Sequence, residues 1–444
     1  MEAKTPSWGI EPVPQRLRVL GLLDTTLLWG NLGVSLLVLV AGTYLVPALS
    51  LPEALLAIVI GGLIGNAMLG VAGAIGAQAG VPSMVLMRAP LGHRGSYLAT
   101  ALNVVQNLGW AIFELIVIAT AAAALSDLAF GFEAKWLWTI VFGAVAGLLA
   151  LAGPIAFVRE WVRRFAFWVV LASLVYLTVW TLDNADLDAF WSQPGGDDKS
   201  LWYGIDLMIA LPASWLPLIA DYSRFSRDQR SAFLGSSIGY LIPNAWLYAL
   251  GALLVLTNEA YGDPTDLMTA IASSGLAAGL ALLALTVDET DEAFANVYST
   301  AVSMQNVTPD VPQRALIVAA TFAATVGALV ITWAEYELFL FLLGSFFVPL
   351  FGVLLADWLL ARRRYGERDI FGAPSFRPML IAAWLVGFAV YQWLHPTGPS
   401  WWTDIVDRAD IVDRAEPPGV GASLPSFAVS FALAALATLR YRRP

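Results

Sequence analysis

The sequence has no cysteine, very little histidine and little charge. Its 444 residues include two histidines, His93 and His395, and only 13% are charged. The absence of cysteine excludes a disulfide framework, a cysteine zinc site and a thiol nucleophile. A soluble protein would carry about twice this charged fraction. With no Ser-His-Asp set, phosphate-binding loop or nucleic-acid signature either, the sequence predicts neither an enzyme nor a cofactor.

Long apolar runs are present instead, and hydrophobic residues make up 58% of the chain. A helix needs about 20 such residues to cross a bilayer. The sequence therefore predicts an all-α polytopic membrane protein with twelve transmembrane helices. The predicted spans are 25–47, 53–77, 97–125, 135–153, 163–182, 202–220, 231–257, 273–305, 315–333, 338–360, 376–394 and 423–439.

The basic residues predict the orientation of these spans. With twelve spans, all Lys and Arg fall in one set of loops except Lys135, Lys199, Arg408 and Arg414. The positive-inside rule then places both termini in the cytoplasm, with residues 1–24 as a cytoplasmic segment of a protein in the cell membrane. The start of the chain lacks the apolar core of a signal peptide. The tandem repeat "DIVDRADIVDRA" in an outer loop is interpreted as a solvated insertion.

The stretch "LLALTVDETDEAFANVYSTAVSM" places four carboxylates, on Asp288, Glu289, Asp291 and Glu292, between two apolar runs. The piece after them is too short to cross a bilayer alone. We therefore expect one helix that holds the acids near mid-membrane. A re-entrant turn is the alternative.

Four charges facing lipid would cost on the order of 10 kcal/mol. The acids must therefore face the protein interior, face water, or be protonated. On a helix, Asp288, Asp291 and Glu292 share one stripe with Ala295 and Ser299, while Asn296 flanks it. Thr290 points the other way. The stripe is typical of an ion path or a water-accessible cavity. A buried ion-paired network is the alternative, although few intramembrane basic residues are available to pair with it.

The third predicted span, "NVVQNLGWAIFELIVIA", is unusually polar for membrane depth. Gln106, Asn107 and Trp110 lie within about one turn, and Glu114 follows one turn later. An intramembrane amide often only joins helices. An amide beside an indole also offers a stacking face next to a hydrogen-bonding edge.

Two predicted spans contain helix-breaking residues. Span 1 reads "LLWGNLGVSLL", and span 6 reads "IALPASWLPLIADYSRF" with prolines at 212 and 217. A proline alone can produce a simple kink. Interruptions at corresponding positions of two halves instead indicate an inverted five-plus-five repeat, in which unwound backbone binds substrate and ion.

The segments "VPSMVLMRAPLGHRGSYL", "LNVVQNLGW", "LPASWLPLIADYSRF" and "NVYSTAVSMQN" resemble the nucleobase:cation symporter-1 family, in particular its cytosine permease and hydroxymethylpyrimidine transporter branch. The resemblance covers roughly 20–395. It implies the five-plus-five inverted-repeat transporter fold with broken helices 1 and 6. The first repeat would cover 25–182, the second 202–360 and two extra helices 376–439.

The resemblance also implies a planar ring stacked on an aromatic side chain of span 3. That residue matches Trp110. The implied amide of span 3 matches Gln106, or Asn107 because the spacing varies, and the amide of span 8 matches Asn296. In span 6 the family's aromatic position holds Pro212 here, which leaves Trp215 as the candidate partner and Ser214 as the polar contact.

Sodium-coupled relatives bind the cation through carbonyls of span 1 and hydroxyls of span 8. The matching residues here are Gly30, Asn31, Gly33, Val34, Asp288, Thr290 and Asp291. At the span 8 positions where these relatives have hydroxyl side chains, this chain also has carboxylates. They permit two interpretations, namely Na⁺ bound by hard oxygen ligands or a carboxyl group that carries a proton. The family favours Na⁺.

The predicted function is therefore import of a pyrimidine-type base, cytosine or hydroxymethylpyrimidine, by cation symport with alternating access. Purines, hydantoins or allantoin are alternative substrates. A channel and a membrane-embedded enzyme are remote alternatives, because a channel does not explain paired broken spans and an enzyme lacks a nucleophile. We expect a monomer whose partners are a small heterocycle, the coupling cation and the bilayer.

Overall fold

A computed structural model describes residues 9–153, 167–196, 199–258, 264–331, 336–408 and 420–441. These residues are mostly helical, and the part of the chain described contains no strand beyond one isolated parallel bridge between Leu20 and Ser226. The helices over the first half of the chain are α1 Leu22–Leu32, α2 Leu36–Thr43, α3 Leu51–Ala79, α4 Ser83–Leu86, α5 Arg88–Leu91, α6 Ser96–Phe130, α7 Lys135–Ala152, α8 Phe167–Asn184, α9 Leu187–Ser192, α10 Leu201–Ser214 and α11 Ile219–Ser223. The remaining helices are α12 Gln229–Asn258, α13 Pro264–Ser273, α14 Leu276–Asp288, α15 Thr290–Met304, α16 Gln313–Val330, α17 Tyr336–Leu360, α18 Glu367–Ile370, α19 Pro378–Leu394, α20 Ser400–Arg408 and α21 Ser423–Tyr441.

Helices lie at each of the twelve predicted spans. By length and composition, seven of the described helices could cross a membrane alone, and α1 with α2 would make an eighth. Three shorter apolar helices coincide with predicted spans 5, 6 and 11. The number of crossings stays a prediction. Arg159, Arg163 and Arg164, and most of the repeated hexapeptide, lie outside the described residues.

The predicted break in span 1 is confirmed. Helix α1 ends at Leu32 and α2 begins at Leu36, and the two are bent by 57°. Ser35 caps α2 because its Oγ accepts a hydrogen bond from the Leu37 amide at 3.0 Å. Close packing holds the second half in place, since a Cβ added to Gly251 of α12 would lie 1.9 Å from the Leu39 carbonyl oxygen. Only glycine permits this approach.

The predicted break in span 6 is also confirmed. Helix α10 contains Pro212 and ends at Ser214, and α11 starts at Ile219. Pro217 lies between them and has no N–H to continue the helical bonding. The peptide units in the gap form tight local bonds instead, from Leu216 N to the Ala213 carbonyl and from Leu218 N to the Trp215 carbonyl, both at 3.1 Å.

The acidic stretch is helical, as predicted, and is not a re-entrant turn. The prediction of one helix over 273–305 is wrong in detail, because α14 ends at Asp288 and α15 starts at Thr290. Hydrogen bonding continues across the joint, from Glu289 N to Leu285 and from Ala293 N to Glu289. The preceding turns form the separate helix α13. All four carboxylate side chains are buried in protein.

The segment before α1 packs against the loop after α11. The Leu20 amide donates to the Phe225 carbonyl at 3.0 Å, and the Arg227 amide donates to the Leu20 carbonyl at 2.9 Å. Arg224 is fully buried and donates to the Gly9 carbonyl and to the Tyr298 hydroxyl, each at 3.0 Å. These bonds join the N-terminal segment, the α11 loop and α15 at one end of the helix bundle.

Candidate functional site

A narrow cavity lies where the two helix breaks meet α6 and α15. About 270 Å³ of space lies between its lining side chains, but little of it is wide enough for a water molecule. A planar ring can therefore enter only if those side chains separate. The lining residues are Ser35, Leu37, Trp110, Glu114, Leu211, Ser214, Trp215, Leu218, Glu292 and Asn296.

Two indoles line this cavity. Trp110 is held edge-on by Tyr336 and Phe339, with ring centroids 5.7 and 5.1 Å away. Trp215 packs edge-on against Trp29 at 5.4 Å and donates its Nε1–H to the Tyr240 hydroxyl at 2.9 Å. Because their neighbours fix both indoles, the cavity offers ordered aromatic surfaces for a planar ligand.

Polar atoms from α6 and α15 meet at the same cavity. Asn296 donates from Nδ2 to Glu114 Oε1 at 2.8 Å and to the Glu292 carbonyl oxygen at 3.2 Å. Three further buried atoms of the lining have no hydrogen-bond partner among the described residues. They are Trp110 Nε1, Glu114 Oε2 and Glu292 Oε1. The cavity therefore combines aromatic surfaces with polar atoms free to bind a ligand.

The predicted substrate residues separate into two groups. Trp110, Ser214, Trp215 and Asn296 line the cavity together. Gln106 does not line it. Its Nε2 donates to the Ser214 carbonyl at 2.9 Å and to Asn103 Oδ1 at 2.8 Å, which joins α6 to the break after α10. Asn107 is buried outside the lining. The two predicted amides of span 3 thus do not line the cavity, and their contact with substrate stays a prediction.

The predicted cation residues meet at the break in span 1. Asn31 donates from Nδ2 to Asp288 Oδ1 at 3.1 Å and also to Asp291 Oδ2. The remaining oxygens of all three side chains, Asn31 Oδ1, Asp288 Oδ2 and Asp291 Oδ1, are buried without a donor in the described part of the chain. Buried acceptors without donors favour a cation or a proton nearby.

The other predicted cation residues have different surroundings. Gly30 and Val34 line a neighbouring apolar cavity together with Asn31, and Gly33 packs against Pro243 of α12. The Thr290 hydroxyl donates to the Val287 carbonyl. Among the residues described, no three His, Cys, Asp or Glu side chains are grouped so that they could hold one metal ion. A cation at this position would thus need amide or backbone oxygens as further ligands.

Glu289 connects the acidic helix to the break in span 1. Its carboxylate accepts from Ser35 Oγ at 2.7 Å and from the Leu36 amide at 2.6 Å. A carboxylate at a helix N-terminus satisfies free N–H groups and interacts favourably with the helix dipole. Glu289 therefore acts as an internal cap of α2.

Sequence reasoning did not assign Ser35, Glu114 and Glu292 to the site. Two signals could have found the acids. Glu114 follows Trp110 by four residues and Glu292 precedes Asn296 by four, so each shares a helix face with a predicted ligand. Nothing local marks Ser35, because its partner Glu289 is 254 residues away.

Known proteins are similar to this chain in sequence and in fold. Residues 12–397 match the family model described as permease for cytosine/purines, uracil, thiamine, allantoin. The chain belongs to this family. The permease is 26% identical to the cytosine permease of Escherichia coli (strain K12), over 86% of this chain and 88% of that protein. It is 25% identical to the hydantoin permease of Microbacterium maritypicum, over 78% and 74% of the two chains.

The fold agrees with this assignment. The permease superimposes on Mhp1, a nucleobase-cation-symport-1 family transporter solved in a closed conformation with bromovinylhydantoin bound, with a TM-score of 0.79 at 20% identity. The match covers 99% of this chain and 96% of Mhp1. The protein is thus a nucleobase-type permease of the nucleobase-cation-symport-1 family and a multi-pass membrane protein.

Proposed function

We propose that the permease imports a pyrimidine-type base, cytosine or hydroxymethylpyrimidine, together with a cation. The observation that carries the proposal is the meeting of Trp110 and Asn296 in one buried cavity between two broken helices. Broken helices place ion and substrate sites at mid-membrane in transporters of this type. The related cytosine permease of Escherichia coli supports the substrate class.

The ring is proposed to stack on the Trp110 indole, with its edge toward Asn296 and Ser214. Stacking of a base on an aromatic side chain contributes about 1–3 kcal/mol. Polar atoms at the ring edge supply selectivity, because a mismatched analogue leaves buried groups without partners. Trp215 forms the opposite wall and is the candidate second aromatic contact.

The coupling cation is proposed to be Na⁺, bound between the break in span 1 and the α14–α15 joint. Asn31 Oδ1, Asp288 Oδ2 and Asp291 Oδ1 are oxygen atoms without donors at this place. Hard cations prefer such ligands. Because Asn31 contacts both aspartates, ion binding would order the break next to the substrate cavity. A proton on one of the aspartates is the alternative, since protonation also satisfies a buried carboxylate.

The architecture proposed for transport has twelve spans. The helices up to α8 would form one repeat, those from α10 to α17 its inverted copy, and α19 and α21 two additional spans. Both termini would be cytoplasmic, by the distribution of basic residues. Rocking of one bundle against the other would expose the cavity to each side in turn.

Hydantoin is the second candidate substrate, because a relative of similar identity is a hydantoin permease. Uptake into proteoliposomes separates the candidates. Radiolabelled cytosine, hydroxymethylpyrimidine, uracil, hypoxanthine and hydantoin would each be tested under separately imposed Na⁺ and H⁺ gradients. We expect Na⁺-driven uptake of an aminopyrimidine. Uptake driven only by H⁺, and lost in Asp288→Asn or Asp291→Asn, would assign the coupling to a proton on that aspartate. No uptake of any heterocycle would refute the proposed function.

A further inference from the structure

Two carboxylates of the substrate cavity are not used by stacking or by the cation site. The Glu114 and Glu292 side chains, on α6 and α15, are 0% and 5% exposed and both line the cavity. Each has one oxygen, Glu114 Oε2 and Glu292 Oε1, that accepts from no other group in the described part of the chain. The two carboxyl groups lie within hydrogen-bond reach of each other. A buried carboxylate oxygen left without a donor is costly.

Donors in the lining are too few for these carboxylates. The lining includes no Lys or Arg. The Asn296 amide donates to Glu114 Oε1 and to a backbone carbonyl, and the Ser214 hydroxyl donates to the Leu211 carbonyl at 2.7 Å. The Ser35 hydroxyl donates to Glu289. Trp110 Nε1–H is a further donor of the lining and has no partner among the described residues, so two carboxylate oxygens without donors face one free indole N–H. The cavity therefore has an excess of acceptors toward any ligand that enters it.

We propose that this pair of carboxylates selects an aminoheterocycle that binds as its ring-protonated cation. Such a ring presents an exocyclic N–H beside a ring N–H, and these two parallel donors fit the two oxygens of one carboxylate. Its positive charge balances one of two acids that repel each other when both are ionised. This inference rests on the proposed function and names the chemical form of its substrate.

The oxo counterpart of such a ring is rejected for a physical reason. Replacing the exocyclic amine by a carbonyl places an acceptor against the carboxylate and removes the positive charge. The carboxylate oxygens then remain buried without donors. Charge-assisted hydrogen bonds contribute about 1.5–3 kcal/mol each, so the discrimination should reach about 10- to 150-fold.

The test is equilibrium binding of radiolabelled cytosine to the purified full-length permease, with competition by unlabelled cytosine, whose protonated ring nitrogen adjoins the exocyclic amine, and by its oxo counterpart uracil. We expect the amino compound to compete at least about tenfold better, and its advantage to grow as the pH falls. Glu114→Gln and Glu292→Gln should each be measured, and at least one should remove most of this advantage.

Glu337→Gln is the matched control, because Glu337 accepts from the Tyr203 hydroxyl at 2.8 Å and does not line the cavity. It should leave the ratio of the two competitors unchanged. Equal competition by the amino and oxo compounds, with cytosine still bound, would refute the inference and leave the proposed function standing. An unchanged preference in both cavity variants would also refute it. If the wild type binds none of these heterocycles, both proposals are refuted.

Discussion

At the residue scale, position along the helix axis separates the residues that reach the cavity from those that do not. Gln106, Trp110 and Glu114 follow each other at intervals of four on one face of α6. Each interval moves a side chain about 6 Å along the axis. The sequence predicted that this face of α6 contacts the substrate, and Trp110 lies on it. The sequence could not predict the depth of the cavity, which Glu114 lines and Gln106 does not. Contact of Gln106 with substrate stays a prediction.

Trp110 is the residue whose substitution should affect ring binding most directly. Trp110→Ala removes a stacking surface worth about 1–3 kcal/mol, so the dissociation constant for cytosine should rise about 5- to 150-fold. Binding of radiolabelled cytosine to purified protein checks this. Trp138→Phe is the control, because Trp138 donates to Ser126 away from the cavity. An unchanged dissociation constant in Trp110→Ala would contradict the stacking proposal.

His395 should make stability depend on pH. It follows α19, stacks on Phe341 with ring centroids 4.3 Å apart, and burial lowers its pKa to about 4. The unfolded chain binds this proton near the ordinary pKa of about 6.5, so stability contributed by the neutral ring is lost as the pH falls from 6.5 toward 4. The apparent melting temperature in detergent should fall over this range, and His395→Phe should weaken the pH dependence. Equal pH dependence of both proteins would contradict this role.

At the element scale, the helix breaks were predictable but the side chains that join them were not. Proline in span 6 and Gly30, Asn31 and Gly33 in span 1 mark interruptions by local chemistry alone. The cap of α2 comes from Glu289, which is separated from Ser35 by 254 residues. Only the packed fold brings Glu289 and Ser35 together. The four acids therefore divide into a helix cap, a pair at Asn31 and a cavity residue, whereas the sequence predicted one stripe for Asp288, Asp291 and Glu292.

Glu289 should stabilise the break in span 1. Glu289→Ala leaves the Ser35 hydroxyl and the Leu36 amide without a charged acceptor, which should cost about 1.5–3 kcal/mol and lower the apparent melting temperature. Glu289→Gln retains an acceptor and should have a smaller effect. Glu53→Ala is the matched control, because Glu53 accepts from the Ser50 amide at 3.1 Å at an exposed helix start. Equal losses in the variants of Glu289 and Glu53 would contradict the internal cap.

At the scale of the whole molecule, the apolar runs predicted where the helices lie and the distribution of charge predicted which side of the membrane each loop faces. The apolar runs predicted helices at the right places, yet the described helices that could span by length and composition number seven or eight. The short helices on either side of a break are below the length that a single helix needs to cross the bilayer. Neighbouring helices can still satisfy the backbone groups at such a break. The family and the fold confirm the transporter class. The prediction of which side each loop faces rests on loop charge alone.

Single-cysteine labelling tests the sidedness, because the native chain has no cysteine to remove. Asp188→Cys should react with an impermeant maleimide added to intact cells. Asp310→Cys and Glu367→Cys should react only after permeabilisation, since both belong to the predicted cytoplasmic loops. All three positions are exposed. Labelling of Asp310→Cys from outside would contradict the twelve-span topology.

Linkage between cation and substrate is the central claim, and one binding measurement tests it. The affinity of purified permease for radiolabelled cytosine would be measured over a series of Na⁺ concentrations at two pH values, in the wild type and in Asp291→Asn. Since coupling is reciprocal, a bound cation that orders the break in span 1 must tighten cytosine binding. We predict tighter binding with Na⁺ in the wild type and loss of this dependence in Asp291→Asn. Affinity independent of both Na⁺ and pH in the wild type would contradict the claim.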